Sequence, residues 1–337
     1  MRTMIAMSGG VDSAVAARLL LAEGELVGCT LLLTEGEGGA EGARATAAAL
    51  GFPHRTLDLT GEFYREVVRP FAEAYAAGRT PNPCITCNKE IKLGRLFDLA
   101  MAEGFHRLAT GHYARIGEVG GRLRLMKARD PEKDQSYVLY HLREEMLPHL
   151  AFPLGELTKA EVRAIAGEAG LAAATAKESQ DICFVPDGRY AALVERVTGH
   201  PAEPGQYVDA QGRPLGEHRG ILHYTLGQHK GLGIALGRVR YVTGIDPLRR
   251  EVTLGDEEDL YRTEVRVPRM HYIGERPTAP FRAAAKLRYR QREEAVTVHP
   301  EGEGARLVFD KPQRAPTPGQ SAVLYEGDVV LGGGEIG

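Results

Sequence analysis

The chain of 337 residues, 43% hydrophobic and 26% charged, has the composition of a globular protein with room for two or three cored domains, which excludes collagen-like, disordered and disulfide-scaffold classes. A formal net charge of −3 gives the molecule no general attraction for nucleic acid, so binding of that kind needs a local basic patch. No apolar core of signal-peptide length opens the chain and no run reaches about 18 apolar residues; the four cysteines are expected in a reducing, cytoplasmic setting, without a membrane partner and available for chemistry.

In chain order, residues 3–7 read as a buried strand, 12–23 as a helix and 26–33 as a second strand. An Ala-rich helix at 41–50, a strand at 54–59, helices at 62–77 and 89–102 and a strand at 107–110 continue the alternation, which predicts an α/β fold with a mainly parallel, doubly wound sheet. Thr158 and Glu161 have capping-box spacing at the start of a further helix. Beyond about residue 197 the texture changes to Gly, Pro and short β-prone runs at 206–208, 240–243, 251–254, 295–298, 306–309 and 322–325, which favours small antiparallel sheets or barrels. The acidic stretch 255–259 is the best internal boundary. The expected division is a catalytic domain at 1–196, a small β-rich central domain at 197–260 and a C-terminal β-barrel at 261–337.

Ser8-Gly9-Gly10-Val11-Asp12-Ser13 follows the first strand and opens the first helix, so backbone N–H groups freed by two glycines converge on an anion at the positive helix end. The lysine of a Walker A loop is missing. The bland alternative is a glycine-rich turn capped by Ser and Asp.

Residues 78–92, GRTPNPCITCNKEIK, hold two prolines, both asparagines of the chain and a Cys-x-x-Cys. The turn-rich start predicts a loop up to about Cys87, with the thiols beside Lys89 and a helix N-terminus, both of which lower a thiol pKa from about 8.5. Half a zinc site and a redox dithiol are the competing readings. Cys183 sits in Glu178-Ser179-Gln180-Asp181-Ile182-Cys183-Phe184-Val185, read as a polar turn running into a short strand, and Cys29 lies in an apolar run as a core residue. Residues 262–292 carry nine basic side chains against Glu264 and Glu275, and Lys286, Arg288, Arg290 and Arg292 alternate as on one face of a strand. Such a face suits phosphate tracking, and a merely solvated face is the alternative.

The SGGVDS string resembles the PP-loop of the ATP pyrophosphatase superfamily. Together with GRTPNPCITCNKEIK, ATGHYAR (109–115), KDQSYVLY (133–140), FPLGELTKAEVR (152–163), ESQDICFV (178–185) and YTLGQHKGLG (224–233), it resembles the tRNA-specific 2-thiouridylase family over essentially the whole chain. The resemblance implies an ATP-dependent enzyme that adenylates the C2 oxygen of the wobble uridine of tRNA and replaces it with sulfur, releasing AMP and pyrophosphate. It assigns Ala6, Met7, Ser8, Gly9, Gly10, Val11, Asp12, Ser13, Leu32 and Gly111 to ATP, with Mg²⁺ as its companion ion and Asp12 in a catalytic role. Cys183 is implied as the carrier of a persulfide received from a sulfur-donor protein, and Cys87 as the thiolate that releases its terminal sulfur. Asn82, Pro83 and Cys84 fall where the family contacts the target base, and His112, Lys133, Asp134, Gln135, Arg288, Tyr289 and Gln320 where it contacts tRNA. Many relatives have aspartate where this chain has Cys84, so Cys84, Cys87 and Cys183 could together ligate a [4Fe-4S] cluster as an alternative sulfur route. The other readings are a PP-loop ligase with a nitrogen nucleophile, amide-forming or like argininosuccinate synthase, which needs no thiols, and a non-catalytic metal-binding RNA module, which leaves the phosphate loop without a purpose.

Overall fold

The computed structural model describes residues 1–36, 39–171, 182–185 and 188–337. Short apolar runs give strands β1 (Arg2–Ala6), β2 (Glu25–Leu32), β3 (His54–Asp58) and β4 (Arg107–Ala109) close to their expected places. Two further strands, β5 (Arg115–Val119) and β6 (Arg122–Met126), precede β7 (Leu150–Ala151). The parallel sheet runs in the order β3-β2-β1-β4-β7. Met4 and Ile5 in β1 are fully buried and belong to two different core clusters, one on each face of the sheet. That burial on both sides is why these strands read as continuous apolar runs rather than alternating ones.

From β1 the chain builds outward to β2 and β3, then returns to place β4 on the other side of β1, pairing Met4 with Leu108. The reversal opens a crevice at the carboxyl ends of β1 and β4, the place where open α/β sheets bind ligands. The loops after both strands meet there. Helix Val11–Leu20 leaves the first loop with Ala14, Val15, Ala16 and Ala17 buried against the sheet.

Three segments depart from expectation. The loop predicted up to Cys87 is helical from Pro83: Asn82 Oδ1 accepts from Cys84 N at 3.1 Å, and Pro83 occupies the first helical position, where its missing N–H costs nothing. This turn runs into a π-helical stretch, Cys87–Arg95, and on into helix Leu96–Ala102. Gly94 is required there, because a Cβ would lie 2.5 Å from the Lys89 carbonyl oxygen. Residues 182–185 form a turn rather than entering a strand, while 178–181 lie outside the described residues. The strand that begins at Phe281 stops at Lys286, so Arg288, Arg290 and Arg292 do not continue a cationic strand face.

The central region is a four-stranded sheet in which Gly205–Val208 lies between Glu251–Gly255 and Pro214–His218, with Tyr241–Asp246 at the other edge. Buried Tyr207, Tyr224, Val242 and Leu254 form its core. The C-terminal sheet is antiparallel and built on Tyr261–Val267, Phe281–Lys286, Glu294–Glu301, Gly304–Arg314, Ser321–Glu326 and Val329–Glu335. The hairpin β5–β6 leaves the parallel sheet and extends this one, Met126 pairing with Val329. Among the described residues no helix is long and apolar enough to cross a membrane.

The expected capping box is present: Glu161 N donates to Thr158 Oγ1 at 3.3 Å and Thr158 N to Glu161 Oε2 at 2.6 Å, starting helix Lys159–Glu168. Replacing Thr158 by Ala is expected to lower the stability of the protein by about 1 kcal/mol, measured by urea unfolding with an unchanged slope.

Candidate active site

The phosphate loop is held open by its own side chains. Ser13 Oγ donates to Gly10 O at 3.0 Å and accepts from Ser8 N at 3.2 Å. Gly9 has φ +76°, and a Cβ on it would meet the Gly39 carbonyl oxygen at 2.4 Å, so only glycine fits. Gly10 is the N-cap and offers no side-chain acceptor to the first turn, which leaves that turn's N–H groups for an anion. Ala6 ends β1 beside Cys29, Met7 N donates to Cys29 O at 2.8 Å, and Leu32 ends β2 at the same edge of the sheet. Val11 is buried behind the loop.

Asp12 is the charged centre of this crevice. Its Oδ1 accepts from Tyr113 Oη at 2.8 Å and from Lys159 Nζ at 2.7 Å, and the lysine side chain is only 12% exposed. Lys159 Nζ also lies 5.8 Å from the centre of the Tyr113 ring. The chain thus brings a cation to Asp12 of the loop from 147 positions away, although the loop itself has no lysine. Neither residue stands out in the sequence; both lie inside longer strings, ATGHYAR and FPLGELTKAEVR, where nothing local marks a charge contact with Asp12.

Gly111 and His112 follow β4, the first against the phosphate loop and the second within reach of the charge of Lys92. A Cβ on Gly111 would lie 3.0 Å from both Asp12 C and Ser13 N. His112 is buried, its Nδ1 2.7 Å from Thr110 Oγ1. Burial, with the charges of Lys92 and His141, pushes its pKa down to about 3, so the ring is neutral near pH 7.

Cys87 is buried while Cys84 and Cys183 are exposed, and all three are free thiols. Cys87 packs in the same core cluster as Val185, and Phe184 sets its ring 5.6 Å from Phe63 and 5.4 Å from Phe71. That aromatic anchor carries Cys183 to the cysteine helix across about a hundred residues of sequence. Burial pushes the Cys87 thiol up to about 11; Lys92 opposes the shift, and the charges of Cys183 and Cys84 add to it. The expected lowering of this thiol is therefore reversed. Desolvation of a buried thiolate outweighs the nearby cations, and Lys89 is engaged with Glu90 at 2.8 Å. Among the described residues no three His, Cys, Asp or Glu side chains are arranged to hold a metal ion, so the three thiols do not form a ready cluster ligand set.

Most of the expected tRNA contacts are committed inside the protein. Asp134 is buried, accepting from Ala128 N and Ser136 N and pairing with Lys286 at 3.5 Å. Gln135 Oε1 accepts from Tyr113 N at 2.9 Å, and Lys133 N donates to Asp130 O. Arg288 turns inward and donates to Ala315 O and Thr317 Oγ1. Tyr289 packs edge-on to Tyr137 with its pKa pushed up to about 12 by burial, and Gln320 donates to Thr80 O at 2.5 Å. The basic run of 262–292 is divided into separate partnerships: Arg282 with Asp310, Arg269 with Glu303, Arg266 with Glu264.

A parallel α/β sheet with a lysine-free phosphate loop at its switch point defines an adenine-nucleotide hydrolase-like enzyme domain, here with the free thiols of Cys84, Cys87 and Cys183 on the same chain segment 1–187. Family models match in three parts: a tRNA methyl transferase HUP domain over residues 1–187, a tRNA methyl transferase PRC-barrel domain over 195–256 and an aminomethyltransferase beta-barrel domain over 262–336. The tRNA-specific 2-thiouridylase MnmA of Desulforudis audaxviator is 47% identical over 98% of this chain and 97% of its own. That of Moorella thermoacetica is 47% identical over 99% and 98%. The chain belongs to the tRNA-specific 2-thiouridylase MnmA family. Among solved structures, the U34-tRNA thiolase NcsA from Methanococcus maripaludis with its [4Fe-4S] cluster aligns at 18% identity over 58% of this chain and 66% of that one, with a TM-score of 0.38.

With its pKa near 11, Cys87 is expected to react with iodoacetamide about tenfold faster for each unit of pH between 7 and 10, without levelling off. An ordinary thiol levels off near about 8.5. A plateau at Cys87 below pH 9, read by peptide mass spectrometry, would contradict the burial argument.

Proposed function

We propose that this protein forms 2-thiouridine at the wobble position of tRNA by adenylation followed by sulfur transfer. The observation that carries the reading is that Gly111 packs on the Asp12 phosphate loop while the next residue, His112, lies within reach of the charge of Lys92, the same charge that acts on Cys84, Cys87 and Cys183. In this reading residues 1–196 form the catalytic domain, 197–260 the central one and 261–337 a tRNA-binding barrel, a division that the three family-model ranges support.

The amide C2 carbonyl of uracil is a poor electrophile. Attack of its oxygen on the α-phosphorus of ATP expels pyrophosphate and turns that oxygen into part of a leaving group. The first-turn amides and Gly9 are placed to cradle the β- and γ-phosphates, Lys159 is placed to offset phosphate charge, and the Asp12 carboxylate would hold a Mg²⁺ that accompanies ATP and would supply further charge neutralisation there. Neutral His112 and the Asn82-Pro83-Cys84 turn line the place of the base.

The sulfur comes as a persulfide on Cys183, whose exposure suits loading by a donor protein. The Cys87 thiolate attacks Cys183 Sγ; the bond to the terminal sulfur breaks, and its electron pair leaves with that sulfur, which adds to C2 as AMP departs. A Cys87 to Cys183 disulfide remains, and an external dithiol reduces it before the next turnover. The alternative route, in which Cys84, Cys87 and Cys183 would ligate an iron–sulfur cluster, is distinguished from this one by the iron and sulfide analysis below.

With ATP, Mg²⁺, a persulfide donor and unmodified tRNA, the protein is expected to yield thiolated tRNA, and Cys183→Ser to abolish it; sulfur incorporation by that variant would sink the persulfide assignment. Asp12→Ala and Lys159→Met should each reduce adenylation by about a hundredfold or more while tRNA binding persists, measured by pyrophosphate release and filter binding. Cys84→Asp should remain active on the persulfide route, whereas stoichiometric iron and sulfide after anaerobic purification, lost in that variant together with activity, would establish the cluster route instead.

A further inference from the structure

The segment that leads into the cysteine helix is gripped from two other parts of the molecule. Gly78 adopts φ +72°, and a Cβ there would lie 3.2 Å from Ile245 Cγ2 of the central sheet. Arg79 pairs with Glu335 at the end of the C-terminal sheet. Thr80 is held at both backbone groups: its N–H donates to Pro318 O at 2.9 Å, and its carbonyl accepts from Gln320 Nε2 at 2.5 Å. Between these bonds lies Gly319, with φ +93°, whose missing Cβ would sit 2.8 Å from Thr80 N and 3.1 Å from Pro81 N.

Both ends of this grip are anchored. On the C-terminal side, Gly319 N donates to Ile336 O at 3.1 Å and Ile336 N to Gln320 O at 2.8 Å, and Ile336 is buried in the C-terminal core. On the other side, Pro81-Asn82-Pro83 allows little torsional freedom, since each proline fixes its own φ and restricts the residue before it. Displacement of Thr80 therefore passes to Asn82, which caps the cysteine helix through Cys84 N, and from there to Cys84 and Cys87.

We propose that the 317–320 turn is the positioning element of the cysteine helix and Gln320 its positioning residue: the C-terminal domain sets where the thiols stand before any tRNA arrives. The consequence for the reaction rests on Cys87 being the reacting thiol, as proposed above; the positioning itself does not.

The test uses the full-length protein without tRNA. Gln320→Ala removes the donor, and Gln320→Glu removes it at nearly constant volume while setting a carboxylate against the Thr80 carbonyl. In both, alkylation of Cys87 is expected to accelerate roughly three- to tenfold, the scale of one lost hydrogen bond that restrains a local opening. The kcat of thiolation should fall by a similar factor while tRNA affinity holds. Val298→Ala, which weakens the same C-terminal core that holds Ile336 but removes no hydrogen bond to Thr80, should leave the alkylation rate as in the parent protein. Unchanged alkylation in both Gln320 variants, a loss confined to tRNA affinity, or equal acceleration in Val298→Ala would each overturn the proposal. Accelerated alkylation with kcat intact would leave the positioning standing and remove Cys87 from the mechanism.

Discussion

The site depends on how closely β4 approaches the phosphate loop. Gly111 presses its Cα against the backbone of Asp12 and Ser13, at a distance where an added methyl would meet two main-chain atoms at 3.0 Å. Because the contact is backbone to backbone, the loop keeps its shape without a ligand, and the next residue, His112, is carried within reach of the charge of Lys92 in the 87–95 stretch. Only a sheet whose strand order reverses between β1 and β4 offers that approach. A loop without its own lysine still has a cation beside it, because the helix capped by Thr158 brings Lys159 to Asp12.

The thiols show a contest between two terms. Cations and a helix start beside a Cys-x-x-Cys favour thiolate, but Cys87 is 7% exposed and its burial prevails, holding the proton on sulfur until something changes around it. A buried, protonated Cys87 is protected from adventitious oxidation. Cys183, seated by Phe184 in an aromatic cluster, is exposed, as is Cys84.

What could be read from the sequence and what could not divide along physical lines. Strands β1 to β4, the phosphate loop and the Thr158 capping box are written in contiguous residues, where apolar runs, glycines and cap spacing act over a few positions. The helix at Pro83 was hidden because two prolines read as a loop signal, although proline at the first helical position behind an Asn cap starts a helix equally well. The alternation of cations from Lys286 to Arg292 mimicked a strand, but the chain turns there, burying Lys286 against Asp134 and Glu293 and Arg288 against the 315–317 turn. Lys159 and the Gln320 grip on Thr80 are contacts across 147 and 240 positions, and no local pattern encodes either one.

The hairpin β5–β6 is emitted by the first domain but hydrogen-bonded into the last one, and Arg115 and Lys127 at its base reach Asp328, Gly327 and Glu293. The boundary in sequence is therefore not a boundary in folding. A C-terminal fragment cut at residue 261 would lose the pairing of Met126 with Val329 while keeping the partners of the Val329–Glu335 strand at 271–272 and 321–326, and a fragment ending at residue 196 would carry a two-stranded ribbon with nothing to pair against. Gene fusions, splits or circular permutations that respect the domain map but separate the hairpin from its host sheet would break one cooperative unit into two aggregation-prone pieces.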